Sequence, residues 1–483
     1  MSEISKLQPN AIWKYFDEIS HIPRPSKKEE KIIKYLFNFA SEYNLEAEKD
    51  EVDNVVIRKA ATPGMENATP VILQSHTDMV CEKNNDVDFN FDTDSIQTYI
   101  DGDWVKAKGT TLGGDDGIGV AGALAILSAN NIKHGPLECF FTADEETGMT
   151  GAFGLQPGFL KGKILINLDS EDEGELFIGC AGGIDTMIEF EYKKEEIPQS
   201  WYSCKISVSG LNGGHSGDEI DKGLGNANKI LNRFLRRLSE KTEFRLSNFD
   251  GGNLRNAIAR EASAIISISP HHKEQIRLAL NIFTSEIQNE YLITEKALKL
   301  DMNTVENTGF AIDIETQNKL LQSIYACPHG VISMSQSIKN LVETSTNLAS
   351  VKFKDDKIVI ATSQRSSVDS ALTDAATMVR TVFELAGANI KHSDGYPGWT
   401  PKLDSEILKI TEKSYEKLFN KKPAVLAIHA GLECGLFLTK YPHLDMISFG
   451  PTIKGAHSPD ERMNIPTVQK FWDLLVDVLE NIK

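Results

Sequence analysis

Short apolar runs that alternate with helical patterns constrain the fold of this chain more than any other feature. Mostly apolar runs cover residues 71–74, 137–142 and 164–168, and a later one covers 445–449. Between the first two lies GIGVAGALAILSAN (117–130), which has the length and composition of a helix. Strands that alternate with helices are typical of a mostly parallel sheet with helices on both faces. The sequence therefore predicts an α/β fold for this part of the chain.

The middle of the chain has a different pattern. From about Asp185, alternating strands such as KISVS (205–209) and ASAIISIS (262–269) are interleaved with helical patterns, which indicates an α+β fold. A similar succession recurs later, with strands predicted at 333–337 and 351–361. We therefore expect this region to contain two lobes.

The length of the chain also requires more than one domain. At roughly 150 residues per domain, 483 residues correspond to two or three domains. After the turn-rich SDGYPGWTP (393–401) the alternation of helix and strand resumes. We expect a discontinuous α/β domain formed by residues 1–185 and 399–483, with an α+β domain inserted at 186–398.

Charge and hydropathy exclude two classes of partner. The chain carries 51 basic and 69 acidic residues, a formal net charge of -18, so its average field repels nucleic-acid phosphates and anionic lipid surfaces. No run reaches the roughly 18 consecutive apolar residues that cross a bilayer, and the first residues lack the apolar region of a secretory signal. The six cysteines are scattered without a CxxC pair, which is typical of reduced thiols. We expect a cytoplasmic protein that binds neither nucleic acid nor membranes.

Histidines and carboxylates follow the predicted strands of the α/β region. The segments are His76-Thr77-Asp78, Asp144-Glu145-Glu146, Asp169, the loop that holds His457, and Asp115-Asp116 before the helix. Each segment alone is typical of a surface turn or a helix cap. Because loops at the carboxyl ends of parallel strands converge over one edge of the sheet, we expect these side chains to lie together. Imidazole nitrogen and carboxylate oxygen are zinc ligands, so the combination predicts a metal site.

The same segments resemble a known family, the dinuclear-zinc peptidases that include carnosinases, aminoacylases, bacterial aminoacyl-histidine dipeptidases and glutamate-releasing carboxypeptidases. The matching motifs are SHTDMV (75–80), GGDDGIG (113–119), ADEETG (143–148), NLDSEDEGE (167–175), GGHSG (213–217) and GAHSPDER (455–462). HAGLECG (429–435) and the long middle region are most similar to the aminoacyl-histidine dipeptidase branch. The resemblance implies that the discontinuous α/β domain is catalytic and that the inserted domain is a lid.

The resemblance also implies the ligands of two divalent metal ions. His76, Asp115 and Asp169 would hold one ion, and Asp115, Glu146 and His457 would hold the other, so that Asp115 bridges them. Zinc is the expected metal, although manganese and cobalt accept the same nitrogen and oxygen ligands.

Two further carboxylates have predicted roles in catalysis. Asp78 lies two residues beyond His76, so an extended backbone projects both side chains to one side and lets the carboxylate accept the free imidazole N–H. Glu145 adjoins Glu146 and cannot easily share its direction, so we expect Glu145 to act as the general base toward the attacking water. Asp116 is interpreted as a cap of the helix that begins near Ile118.

Five residues are expected to contact the substrate: His215, Asn256, Arg365, Gly431 and Glu433. By resemblance, His215 would donate a hydrogen bond to the developing oxyanion. Arg365 would bind the C-terminal carboxylate of a dipeptide through its planar guanidinium, with Arg255 as the alternative. Gly431 and Glu433 would border the pocket, where Glu433 could pair with the substrate amine. These contacts would form when the lid closes.

The sequence therefore predicts a metal-dependent dipeptidase that hydrolyses Xaa-His and other dipeptides. One alternative is an aminoacylase-type amidohydrolase on the same scaffold. A second is an inactive binding protein, although the full set of ligands and Glu145 argues against it. A homodimer is expected, with His215 acting within one chain or across the dimer.

Overall fold

The computed structural model describes residues 2–354 and 356–483. The helices are α1 (Asn10–Ser20), α2 (Glu30–Glu42), α3 (Gly114–Ser128), α4 (Glu145–Gly148), α5 (Thr150–Gly154), α6 (Ala227–Ser239), α7 (Lys273–Glu290), α8 (Ile314–Ala326), α9 (Asp369–Leu385), α10 (Glu406–Phe419), α11 (Glu433–Lys440) and α12 (Ile465–Asn481). The strands are β1 (Glu46–Lys49), β2 (Val55–Lys59), β3 (Val71–His76), β4 (Thr98–Asp101), β5 (Trp104–Ala107), β6 (Leu137–Thr142), β7 (Ile164–Asn167), β8 (Glu175–Cys180), β9 (Gly182–Glu191), β10 (Lys194–Glu196), β11 (Tyr202–Ser209), β12 (Phe244–Gly251), β13 (Ala262–Ile268), β14 (Lys299–Thr304), β15 (Phe310–Ile312), β16 (Gly330–Met334), β17 (Val342–Lys354), β18 (Lys357–Ser366), β19 (Asn389–His392), β20 (Ala424–Ile428), β21 (Asp445–Ser448), β22 (Ile453–Lys454) and β23 (Arg462–Asn464).

The chain divides into two compact units. Unit 1 consists of the residues up to Cys180, Trp399–Ala427 and Leu432–Lys483, and unit 2 consists of Ala181–Gly398 and Ile428–Gly431. The expected boundaries differ at 181–185 and 428–431, which belong to unit 2. The first difference arises because β9 pairs with β18 along its whole length, which ties its first residues to unit 2.

A mixed sheet of eight strands organises unit 1, in the order β1-β2-β6-β3-β7-β21-β8-β20. Its centre is parallel, because β3 pairs in parallel with β6 and β7, and β7 pairs in parallel with β21. Towards the edges the pairing is antiparallel, between β1 and β2, between β2 and β6, and between β21 and β8. Every residue of β3, β6 and β7 is buried, as expected for parallel strands covered on both faces. The predicted helix-flanked α/β sheet is confirmed, with parallel pairing concentrated at its centre.

Strand register brings the ends of the central strands to one edge. His76 at the end of β3 pairs with Thr142 at the end of β6. Asn167 at the end of β7 likewise pairs with Ser448 at the end of β21. The segments that follow these four strands therefore start side by side.

Unit 2 contains two β-α-β-β-α-β lobes in one nine-stranded sheet, in the order β14-β11-β13-β12-β17-β18-β9-β19 with β16 paired to β17. One lobe runs β11-α6-β12-β13-α7-β14, and the other runs β9-α8-β17-β18-α9-β19. Within each lobe the strand order is fourth, first, third, second. The lobes meet where β12 pairs with β17 at Gly251 and Val351. This arrangement confirms the expected α+β region of two lobes.

Two strand predictions in unit 2 are wrong. Residues 351–361 were expected as one strand, but residues 351–354 belong to β17 and residues 357–361 to β18, and these two strands pair antiparallel. Position 355 of the expected strand lies outside the described residues. The strand expected at 333–337 lies at 330–334 instead. It ends there because the Ser335 hydroxyl accepts hydrogen bonds from the N–H groups of Ser337 and Ile338 and so forms a turn.

Candidate functional site

The carboxylate of Asp115 lies between two histidines at the carboxyl edge of the unit 1 sheet. Its Oδ1 is 3.0 Å from His76 Nε2, and its Oδ2 is 3.1 Å from His457 Nε2. His76 ends β3, whereas His457 lies in the loop between β22 and β23, so the two imidazoles meet only in the folded chain. The Asp115 carboxylate therefore presents a separate oxygen to each imidazole.

The other two predicted metal ligands join the same cluster. Glu146 Oε2 lies 3.1 Å from His457 Nε2, and Asp169 Oδ1 lies 3.6 Å from His76 Nε2. Ligand atoms of His76, Asp115 and Glu146 all lie within 4.8 Å of one another. All five side chains that the sequence nominated as ligands are thus brought together in unit 1.

The charges of this cluster fit divalent cations. Hydrogen bonds with Asp115 and Glu146 raise the pKa of His457 to about 11, although burial opposes the shift. Burial alone would lower the pKa of His76, but the carboxylates of Asp169 and Asp115 outweigh it and raise that pKa. Burial also raises the pKa of Asp169 to about 7. Three carboxylates and two imidazoles in close contact form a nitrogen and oxygen donor set that suits zinc, manganese or cobalt.

Asp78 is fully buried beside this cluster and uses both carboxylate oxygens. Its Oδ2 accepts hydrogen bonds from Ser26 Oγ at 2.7 Å and from the N–H of Glu146 at 3.2 Å. Its Oδ1 accepts from the N–H of Glu145 at 3.1 Å and lies 3.3 Å from His76 Nδ1. Burial raises the pKa of Asp78, but contacts with His76 and Ser26 outweigh it and lower that pKa to about 2. One carboxylate therefore holds both the His76 ring and the backbone of the Glu145 segment.

Glu145 begins α4 and is half-buried, with its backbone fixed by Asp78. Burial raises the pKa of Glu145, and the nearby carboxylates of Asp169 and Glu433 add to the shift while His76 opposes it. Such a carboxylate has the raised basicity that a general base needs. Asp116 behaves as the sequence predicts for a cap, because its Oδ1 accepts the N–H of Gly119 at 3.1 Å.

Glu433 has a different environment from the one expected. It is 1% exposed, and its Oε2 accepts hydrogen bonds from Gln74 Nε2 and Thr142 Oγ1, both at 2.7 Å. Burial raises the pKa of Glu433 to about 8. Its other oxygen, Oε1, is buried without a hydrogen-bond partner among the described residues, and the pairing with a substrate amine stays a prediction. The contacts with Gln74 and Thr142 could not be predicted, because both residues lie far from Glu433 along the chain.

Three of the remaining predicted substrate residues share a region of unit 2. His215 Nδ1 lies 3.1 Å from Asp218 Oδ2. Burial raises the pKa of Asp218, but the contact with His215 and the charge of Arg365 outweigh it and lower that pKa. Arg365 is 8% exposed and donates to the hydroxyl of Tyr396 at 3.3 Å. The Tyr396 ring also packs against Gly431, where an added Cβ would lie 2.7 Å from the ring.

Asn256 and Arg255 are both exposed in unit 2. The carbonyl of Asn256 accepts the N–H of Ser216, next to His215. Arg255 forms an ion pair with Asp185. The sequence did not single out Tyr396, Asp218 or His429, whose Nε2 lies 2.7 Å from Ser345 Oγ.

Comparison with known proteins identifies the family of the chain and agrees with the fold described above. Residues 72–481 match the model of Peptidase family M20/M25/M40, and the chain belongs to that family. It is therefore a peptide hydrolase of a family that uses divalent metal ions. None of the helices in residues 2–354 and 356–483 is long and apolar enough to span a membrane.

Individual relatives cover the whole chain. The chain is 46% identical over 482 residues to the cytosol non-specific dipeptidase of Escherichia coli K12, and the match covers 100% of this chain and 99% of that protein. The structure of this chain is similar to that of aminoacylhistidine dipeptidase from Vibrio alginolyticus, with 46% identity and a TM-score of 0.93. That match covers 100% of this chain and 98% of the Vibrio chain. Aminopeptidase PepT from Bacillus cereus shares the fold at 15% identity, with a TM-score of 0.57 and coverage of 99% of each chain.

Proposed function

We propose that this protein is a metal-dependent dipeptidase that cleaves Xaa-His and other dipeptides. The observation that carries the proposal is the convergence of His76, His457 and three carboxylates around Asp115 in unit 1. The relatives from Escherichia coli and Vibrio alginolyticus support it, because both are named dipeptidases and each is 46% identical to this chain.

In this proposal His76, Asp115 and Asp169 would hold one divalent ion, and Asp115, Glu146 and His457 would hold the other. The bound ions would polarise the scissile carbonyl and lower the pKa of water. Glu145 accepts the proton of the attacking water and then delivers it to the leaving amine. Asp78 orients His76 through Nδ1 and keeps the backbone of the Glu145 segment in place.

The residues of unit 2 select the substrate in this proposal. Arg365 is buried and retains guanidinium N–H groups for a substrate carboxylate, since the contact with Tyr396 uses only Nη1. His215 donates a hydrogen bond to the oxyanion, with Asp218 at its Nδ1. Asn256 contacts the substrate, and Gly431 and Glu433 border the pocket.

The proposal includes the metal, the compartment and the oligomeric state. Zinc is the proposed metal because it accepts nitrogen and oxygen donors of this kind, as manganese and cobalt also do. The protein acts in the cytoplasm, as the name of its Escherichia coli relative states for that protein. It forms a homodimer, which light scattering of the purified protein would test.

The proposed activity is tested by hydrolysis of a panel of Xaa-His dipeptides, other dipeptides and N-acyl amino acids. The metal-stripped protein should be inactive and the zinc-reconstituted protein active on dipeptides. Glu145→Gln should keep its zinc and turn over at least about 100-fold more slowly, the lower end expected for loss of a general base. Glu51→Gln, on an exposed turn, is the matched control. Faster cleavage of N-acyl amino acids than of dipeptides would favour an aminoacylase instead.

A further inference from the structure

Two buried charged side chains that the proposed reaction does not use hold the backbone beside Asp115. The first is Glu461, which is 2% exposed. Its Oε2 accepts the N–H groups of Leu112 at 2.7 Å and Gly113 at 3.0 Å. Its Oε1 accepts those of Gly114 at 2.7 Å and Asp115 at 3.3 Å. Four consecutive N–H groups therefore converge on one carboxylate.

The second is Arg24, which is 3% exposed and binds carbonyl oxygens. Its Nη1 donates to the carbonyls of Thr77 at 3.0 Å and Asp78 at 2.6 Å. Its Nη2 donates to the carbonyl of Gly113 at 2.6 Å. Gly113 is thus held from both sides, through its N–H by Glu461 and through its carbonyl by Arg24.

Glycine is required where Arg24 approaches the backbone. Gly113 has a φ of +68°, in the left-handed region that favours glycine, and an added Cβ would lie 2.6 Å from Arg24 Nη2. An added Cβ at Gly117 would lie 2.7 Å from the same nitrogen. Two glycines of the GGDDG segment, the first and the last, therefore leave the space that the Arg24 guanidinium occupies.

Both contacts join segments that carry different metal ligands. Arg24 links the carbonyls beyond His76 to the loop of Asp115. Glu461 lies four residues beyond His457 and links that loop to the Asp115 loop. The segment of the shared ligand Asp115 is therefore fixed to the segments of both histidines. Ligand groups must be held within about 0.5 Å of productive geometry, and side chains of this kind supply that support.

We propose that Arg24 and Glu461 are positioning residues of the metal centre, which hold Asp115 in register with His76 and His457. This proposal rests on the proposed function. A purely structural role predicts that substitutions lower the stability of the protein but leave the zinc affinity of folded molecules unchanged. A positioning role predicts that zinc affinity falls as well.

The test compares Glu461→Gln with a matched substitution at Glu138. Glu138 is 5% exposed, accepts the N–H groups of Lys161 at 2.7 Å and Gly162 at 2.8 Å, and pairs with Arg58. In Glu461→Gln the amide NH₂ would face two backbone N–H groups, and zinc affinity should fall about 10- to 100-fold, the range for residues that orient ligands. Glu138→Gln should bind zinc as the unaltered protein does. Arg24→Lys keeps the positive charge but loses the planar guanidinium with its two donor nitrogens. This variant should also bind zinc at least about tenfold more weakly than the unaltered protein does.

Zinc affinity is measured by competition with a chromogenic chelator on protein shown to be folded by circular dichroism, and the cobalt-substituted absorption spectrum reports the ligand geometry. Equal affinity and spectra for Glu461→Gln, Arg24→Lys and Glu138→Gln would overturn the inference. Failure of both Glu461→Gln and Arg24→Lys to fold would overturn it too, because the side chains would then stabilise the unit as a whole. Absence of zinc binding by the unaltered protein would instead refute the proposed function.

Discussion

Replacing Asp78 by asparagine is the sharpest perturbation of the proposed centre, because it changes one oxygen into NH₂ without altering size. Asp78 accepts hydrogen bonds at both oxygens, from Ser26 and the Glu146 N–H at Oδ2 and from the Glu145 N–H at Oδ1, which also lies 3.3 Å from His76 Nδ1. Ser26 can rotate to accept a hydrogen bond, but a backbone N–H cannot. Asparagine therefore leaves at least one buried N–H facing another donor.

The size of the effect follows from that count. A hydrogen bond to a charged group contributes about 1.5–3 kcal/mol, and about 1.4 kcal/mol is a factor of ten. Loss of one such bond predicts that kcat/KM falls about 10- to 150-fold. Zinc affinity should fall about 10- to 100-fold because the His76 ring loses its charged partner.

The assay measures kcat/KM on an Xaa-His dipeptide at saturating zinc, together with zinc affinity by chelator competition. Asp50→Asn is the control, since Asp50 also accepts backbone N–H groups, those of Val52 and Asn54, in a loop that carries none of the proposed ligands. We expect Asp50→Asn to lose stability only. If Asp78→Asn retained zinc affinity and kcat/KM within about twofold, the assigned role of Asp78 would be wrong.

Three other predictions concern protons and substrate. Because the pKa of His457 is raised to about 11 by Asp115 and Glu146, this imidazole is protonated at pH 7 in metal-free protein, so zinc binding should release protons and strengthen as pH rises. Calorimetry in two buffers should record less release in His457→Gln, and equal release would contradict the assignment. Arg365→Ala should raise KM for free dipeptides more than for amidated ones, unlike exposed Arg255→Ala; equal effects would remove Arg365 from carboxylate binding. Burial lowers the pKa of His429 to about 4, so between pH 7 and pH 5 the unfolded chain binds a proton that the folded chain does not. The free energy of unfolding should therefore fall by about 2 kcal/mol over this range. Urea unfolding of His429→Gln should lack this decrease, and an unchanged dependence of its unfolding free energy on pH would refute the assignment.

Much of the fold could be predicted from sequence because the signals are local. The apolar runs that became β3, β6 and β7 are fully buried strands, and each ends where its polar segment begins. The division into β17 and β18 could not be predicted, because apolar and polar residues alternate in both strands and a period of two gives no sign of where one strand ends and the next begins. The convergence of His76 and His457 could be expected only because parallel strands align their ends.

Residue types and local pattern are enough to predict the metal site, since imidazoles and carboxylates that follow buried strands can be recognised along the chain. The side chains that support this site become visible only in the folded chain. Arg24 reaches a carbonyl 89 positions away, and Glu461 accepts N–H groups 346 to 349 positions away. Glu433 is likewise buried against Gln74, 359 positions distant. The partners of Arg24 and Glu461 are backbone groups, which every residue carries, so residue identity gives no sign of them. Burial then fixes these contacts, because a buried charge without partners is costly.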